Sequence, residues 1–168
     1  EKLYVTELIC PSEEAGKDLR ALGWGRRYGV NIIKIVHGKR ELDIPSGDTV
    51  LGEGDRLAVL GERENLVSLR LSVGAGEAEL PTLHAYINGE KALYTYTLDV
   101  AKNDHLAGCT IRDSGLRENY DCMILGLQRN LLPIIGPDVN FVIQRGDLVW
   151  LLGSRRMAEK ALDDMEET

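Results

Sequence analysis

The sequence predicts an α+β protein built from two repeated small domains, each with about four strands and a few short helices. Three observations predict it. The stretch GEGDRLAVLGE at residues 52–62 returns 92 positions later as QRGDLVWLLGS at residues 144–154. The apolar runs are short, such as LAVL from Leu57 and LVWLL from Leu148, and turn residues bound them, as expected of buried strands. A length of 168 residues suits one ordinary domain or two small ones, and 43% hydrophobic with 28% charged residues is the composition of a globular chain.

The repeat decides the domain organisation, because a missed repeat misassigns the whole fold. Residues 15–61 align without a gap on residues 107–153, and twelve of these 47 positions are identical. The identities include Arg20/Arg112, Gly23/Gly115, Tyr28/Tyr120, Pro45/Pro137, Val50/Val142 and Asp55/Asp147. The apolar pattern holds in the same register at Leu19/Ile111, Ile33/Leu125, Ile35/Leu127, Leu42/Ile134, Leu51/Ile143, Leu57/Val149 and Val59/Leu151.

Each half follows one order. An opening strand, LYVTELIC from Leu3 or LYTYTLDV from Leu93, leads into a short helix, GKDLRALG from Gly16 or GCTIRDSG from Gly108. A glycine closes that helix where positive φ is convenient. Two strands follow, NIIKIV from Asn31 and a segment around ELDIP, joined through HGKR as a hairpin. Gly54-Asp55 and Gly146-Asp147 are turn residues that feed the strands RLAVLG and LVWLLG, and Gly61 and Gly153 punctuate the strand ends. A final helix, ENLVSLRL from Glu64 or RMAEKALDDM from Arg156, completes each unit. The expected domains are residues 1–72 and 92–168, with residues 73–91 a linker of some ordered content. Units of this size sit near the lower limit for a self-sufficient core, so each is expected to pack on the other or on a partner chain.

Charge and motifs exclude several function classes. A net charge of −7, with acidic residues spread along the chain, opposes nucleic-acid binding, which needs clustered Lys and Arg against phosphates. No apolar run reaches the roughly 18 residues of a membrane span. The chain starts at Glu1 with no leader-like segment, which suggests a fragment of a longer protein. Cys10, Cys109 and Cys122 form no CxxC pair and are odd in number, as free thiols in a reducing compartment would be. His37, His84 and His105 lack metal-ligand spacing, so no metal is expected. GAGEAEL from Gly74 has only the first two glycines of a dinucleotide loop, and neither a phosphate loop nor a GxSxG elbow is present. Ser114 or Cys109 with His105 makes a nucleophile and base on paper only, since closeness in sequence is not closeness in space. The expectation is a binding or regulatory module and not an enzyme.

The pattern GKDLRALGWGRRYGVNIIKIVHGKRELDIPSGDTVLGEGDRLAVLG, residues 16–61, resembles the C-terminal subdomain of regulators of potassium conductance, the TrkA-C domain. YGVNII and IPSGDTVLGEGDRLAVLG carry most of the likeness. The second half is similar but has Cys109, Cys122 and Met123 in place of Lys17, Val30 and Asn31. The resemblance implies a mostly antiparallel four-stranded sheet in each unit and a dimeric regulatory role at the cytoplasmic face of the cell membrane. The partner it implies is the membrane-embedded transporter portion of the same polypeptide. Tandem copies resemble the tails of cation:proton antiporters, and also domains inside anion or dicarboxylate transporters.

Some relatives bind cyclic di-AMP and others divalent cations, and no cofactor is required. Matching positions here are Arg26, Asn31, Ile32, His37 and Pro45. Arg and Asn suit phosphate and base edges, while Ile and Pro suit apolar walls. The competing reading has Asn31 capping a turn, Arg26 solvated and Ile32 in the core. In the second copy Met123 and Arg129 replace Asn31 and His37. The expected function is a ligand- or ion-sensing module of a cation transporter, either a monovalent cation:proton antiporter or a potassium transport system. The alternative is a ligand-free dimerisation module of a transporter of another class.

Overall fold

In the computed structural model, which describes residues 2–88, 92–100 and 105–166, each half of the chain folds its own four-stranded antiparallel sheet. The first unit comprises Glu1–Lys91 and the second Ala92–Thr168. In the first, β1 (Tyr4–Ile9), β2 (Asn31–His37), β3 (Arg40–Asp43) and β4 (Arg56–Gly61) lie in the order β1-β4-β2-β3. In the second, β5 (Leu93–Asp99), β6 (Met123–Arg129), β7 (Leu132–Ile135) and β8 (Leu148–Ser154) lie in the order β5-β8-β6-β7.

The register repeats as well as the order. β2 and β4 slip between Ile32 and Lys34, and β6 and β8 slip between Ile124 and Gly126, the same step 92 residues on. The opening strands follow a different offset: Leu8 pairs with Leu57 and Leu98 with Val149, so β5 stands 90 residues after β1. The stretch between the opening strand and the aligned region is thus two residues longer in the second unit, which explains why the gapless alignment begins only at Ala15.

The helices are short and locally specified. Asp18 caps α1 (Leu19–Leu22) by accepting the Ala21 N–H at 2.8 Å, and Gly23 at φ +68° closes it. The corresponding piece of the second unit is a single 3₁₀ turn, Arg112–Ser114, ended by Gly115 at φ +76°. After each glycine comes a helix that the sequence pattern does not announce, α2 (Trp24–Tyr28) and α5 (Leu116–Tyr120). Trp24 and Leu116, each first in its helix, are buried. The closing helices are α3 (Arg63–Ser72) and α6 (Arg155–Glu166).

One core lies between sheet and helices in each unit. In the first it gathers Leu8, Leu22, Trp24, Ile32, Ile35, Leu51, Leu57, Val59, Leu66 and Leu69. In the second it gathers Leu98, Leu106, Leu116, Leu127, Ile143, Val149, Leu151 and Ala161. Strand alternation puts Leu57 and Val59 on that face and leaves Ala58 and Leu60, also buried, for the other.

The stretch expected as a linker is partly built into the first unit. The Val5 N–H donates to the Pro81 carbonyl at 3.0 Å and the Leu83 N–H to the Leu3 carbonyl at 2.8 Å. Thr82 then caps α4 (Leu83–Ile87), whose Leu83 and Tyr86 are buried. Residues 89–91 lie outside the described residues. No helix among the described residues is long and apolar enough to cross a membrane.

The hairpin tips differ. His37-Gly38-Lys39-Arg40 turns with Gly38 at φ +61°, whereas Asn130 and Leu131 both have positive φ, +52° and +65°. The second pattern is the type I′ turn that suits strand twist, but a leucine there costs about 1–2 kcal/mol of backbone strain.

Gly126 occupies the slip in β6 where β2 carries Lys34, and a Cβ added there would meet the Ile134 carbonyl oxygen at 2.4 Å. Gly126→Ala is therefore expected to destabilise the second unit by about 1–3 kcal/mol, read as a lower denaturant midpoint, with the first unit unaffected.

Candidate functional site

The twice-written Gly-Asp is more than a turn. Asp55 is only 3% exposed, and its carboxylate accepts the Gly52 N–H at 2.7 Å and pairs with Nδ1 of His37 at the end of β2. Its own carbonyl accepts the Cys10 N–H at 2.7 Å, tying the end of β1 to the start of β4. Asp147, 1% exposed, repeats the arrangement: it accepts the Gln144 N–H at 2.8 Å, and its carbonyl accepts the Val100 N–H at 2.9 Å. Here the partner is Arg129, the residue aligned with His37. It grips both carboxylate oxygens, with Nε at 2.9 Å and Nη2 at 2.8 Å.

Arg129 also donates from Nη2 to the Val142 carbonyl at 2.9 Å and lies 4.9 Å over the Phe141 ring. Burial alone would push the Asp147 carboxyl up, but the hydrogen bonds from Arg129 and Gln144 outweigh it and hold the group below the ordinary carboxylate range. The same bond to Asp147 raises Arg129 further above its usual value. A forked guanidinium on a carboxylate is the stronger lock, whereas an imidazole presents one nitrogen to the acid.

Of the five residues expected to hold a ligand, Asn31, Ile32 and His37 lie on β2, Arg26 on α2 and Pro45 just beyond β3. Helix α2 runs through Gly29 directly into β2, so Arg26 and Asn31 lie at the same end of that strand, both exposed. Arg26 Nη2 donates to the Arg20 carbonyl at 3.4 Å, and Arg20 pairs with Asp48. Ile32 is buried in the core. His37 stands six residues beyond Asn31, roughly 20 Å along an extended strand, with a side chain 67% exposed and bound to Asp55. Pro45 is buried beside Ile44, whose N–H donates to the Ile33 carbonyl at 2.8 Å. Ile44 holds φ +46°, a strained value for a β-branched residue, where the second unit has Gly136 at φ +61°.

The pattern of NIIKIV hid one polar feature. Lys34 is 5% exposed in mid-strand, with Nζ 3.4 Å from Glu41 and 3.3 Å from Asp43 on β3. Burial pushes the hydroxyl of Tyr86 on α4 up to about 12, with the charges of Glu7, Asp43 and Glu41 adding to the effect. The second unit has Gly126, Pro133 and Ile135 at the positions of Lys34, Glu41 and Asp43. Only alignment of the halves could have drawn attention to this difference.

Chemistry of the nucleophilic kind finds little footing among the described residues. Cys109 Sγ donates to the main-chain carbonyl of His105 at 3.2 Å, and Ser114 Oγ donates to the Ile111 carbonyl at 2.7 Å. Burial raises the thiol of Cys10 and pushes that of Cys122 up to about 11, away from the reactive thiolate form. No group of three or more His, Cys, Asp or Glu among the described residues is arranged to hold a metal ion.

A family model, the TrkA-C domain, matches residues 6–73 and again residues 96–165. The chain belongs to the TrkA-C domain family. An uncharacterized transporter of Synechocystis is 28% identical over 162 residues, covering 92% of this chain and 26% of the relative. The tandem TrkA-C units thus span about a quarter of that relative's length, and a similar share of others.

Among solved structures, the RCK C domain of the potassium transport protein KtrA, in complex with cyclic di-AMP, is 29% identical over 40% of this chain and 80% of its own, with a TM-score of 0.39. The RCK_C dimer of S. agalactiae BusR, also with cyclic di-AMP, is 22% identical over 44% of this chain and 94% of its own, with a TM-score of 0.40.

The Asp147 pair gives a signed prediction. Its carboxyl lies lower in the folded state than in the unfolded one, so its contribution to stability is fully present above about pH 4 and is lost as pH falls through the folded value. Asp147→Asn is expected to cost the second TrkA-C unit about 3 kcal/mol at neutral pH and to flatten the acid limb of its stability curve in denaturant titrations between pH 2.5 and 7.

Proposed function

We propose that this chain is the ligand- or ion-sensing regulatory module of a membrane cation transporter, a monovalent cation:proton antiporter or a potassium transport system, acting at the cytoplasmic face. The observation that carries the reading is the tandem TrkA-C match over nearly all of the chain, together with relatives named as transporters. Binding of a small ligand, cyclic di-AMP or a cation, shifts the balance between conformations of the module. The transporter portion feels that shift only in proportion to the ligand's different affinity for the two conformations.

Arg26 and Asn31 supply the polar contacts in this reading. Both are exposed at one end of β2, where a guanidinium and an amide are available to phosphate oxygens and a base edge. Pro45, next to the strained Ile44, is buried and so stiffens the frame behind that end of the site without touching a ligand.

A second reading has a specific observation in its favour. The side chain of Ile32 belongs to the core and His37 is engaged with Asp55, which leaves fewer free groups for a ligand. On that reading the units are a ligand-free dimerisation module of a transporter of another class, such as an anion or dicarboxylate carrier.

Thermal unfolding of the chain against cyclic di-AMP, other adenine nucleotides, and mono- and divalent cations separates the two. A ligand at a hundredfold excess over its Kd adds about 2.7 kcal/mol, so the sensing reading expects a saturable rise in midpoint for one compound, abolished by Arg26→Ala or Asn31→Ala. A flat response across the panel from a chain that is dimeric throughout would overturn it in favour of the assembly module.

A further inference from the structure

The two hairpin tips occupy equivalent places and have opposite chemistry. In the first unit the tip is Gly38-Lys39, with Arg40 beyond it, all exposed. In the second, Leu131 is 85% exposed and Leu132 is 68% exposed, the two most exposed large apolar side chains among the described residues. Leu131 also sits at φ +65°, where glycine or asparagine would hold the turn with less strain. Neither the exposure nor the backbone conformation benefits the unit that carries it.

The patch has a firm base and few charges. Arg129 faces Leu132 across the hairpin, grips Asp147 from below and holds the carbonyl of half-exposed Val142, so Leu132 and Val142 flank one anchored guanidinium. From residue 122 to residue 146 the only charged residues are Arg129, Asp138 and Arg145, in a chain that is 28% charged overall. Arg129 is neutralised by Asp147.

We infer that the Leu131–Leu132 tip is a docking surface for an uncharged apolar patch on the transporter portion of the same polypeptide. This rests on the transporter reading above. Charge decides the chemistry of the occupant: a nearly charge-free apolar tip is matched by an apolar surface and gains nothing from a charged one. Area decides that the occupant is tethered. A stable interface between free proteins hides about 800 Å² on each side, far more than two leucines and a valine offer, so neither a second copy nor a free partner is held by this tip alone. A tethered surface is already present at high effective concentration and needs much less.

The test uses the full-length transporter polypeptide with a photo-crosslinking phenylalanine at Leu131, and the same probe at Lys39 as the control tip. The expected result is crosslinked peptides from the membrane-embedded portion, at least fivefold more abundant from position 131 than from position 39. Crosslinks only to lipid or only to a second copy, or no excess over position 39, would overturn the inference. Leu131→Asn/Leu132→Lys provides the second arm, since both side chains are exposed and asparagine suits the turn. It is expected to leave the thermal midpoint of the chain unchanged while cutting crosslinking from a probe at Val142 at least threefold; undiminished crosslinking counts against the tip.

Transport measured with the second unit deleted separates this inference from the reading beneath it. Altered flux without the crosslinks sinks the docking surface and leaves regulation standing, while unaltered flux with the crosslinks does the reverse.

Discussion

A buried carboxylate at the foot of β4, repeated at the foot of β8, is the constraint on which each half of the molecule depends. Three parts of the chain meet at Asp55: the end of β1 through Cys10, the turn at Gly52 and the end of β2 through His37. Asp147 gathers Val100, Gln144 and Arg129 in the same way. A carboxylate so withdrawn from water is tolerable only with its hydrogen bonds filled. Sequence spacing meets that need, because a nitrogen-bearing side chain at the end of one strand and the aspartate that follows the turn glycine are brought together only when the strands take this register. The loops before each Gly-Asp are held alongside: Leu51 and Ile143 exchange main-chain hydrogen bonds with the segments at Gly16-Lys17 and Gly108-Cys109.

On this shared frame the two copies have diverged in chemistry. The first keeps a histidine on its aspartate, a lysine buried between two carboxylates, and an isoleucine strained to positive φ before Pro45. The second has the bidentate arginine, glycine at both the slip and the pre-proline position, and an apolar hairpin tip. The buried lysine thus sets the first copy apart, on the strand that carries Asn31, Ile32 and His37, and the exposed apolar hairpin tip sets the second apart.

Much of the fold was legible because strands and turns are written locally. LYVTELIC, NIIKIV and RLAVLG alternate or run apolar, HGKR supplies the hairpin, and the repeat gives each assignment an independent second reading. Helices α2 and α5 escaped notice because five residues span too little of the helical period to show it, and because each follows a glycine taken as a stop. The linker was expected to hold some order, but its attachment to β1 escaped, because it is made by main-chain groups at Leu3, Val5, Pro81 and Leu83, which side-chain pattern does not encode. At the candidate site the residue types were visible but their distances were not. A run from Arg26 to His37 is close in sequence, yet an extended strand carries its last member roughly 20 Å from Asn31. The His37–Asp55 and Arg129–Asp147 pairs each join residues 18 positions apart, and only the pairing register brings them together.

The claim that the tandem units sense a ligand on behalf of a transporter is tested most directly by flux. The full-length polypeptide and a version lacking these units would be reconstituted in liposomes, and cation flux measured while cyclic di-AMP is titrated on the side that carries the units. The account predicts flux that changes saturably with ligand in the intact protein and not in the truncated one. Equal flux from both, with no response to ligand, would contradict it.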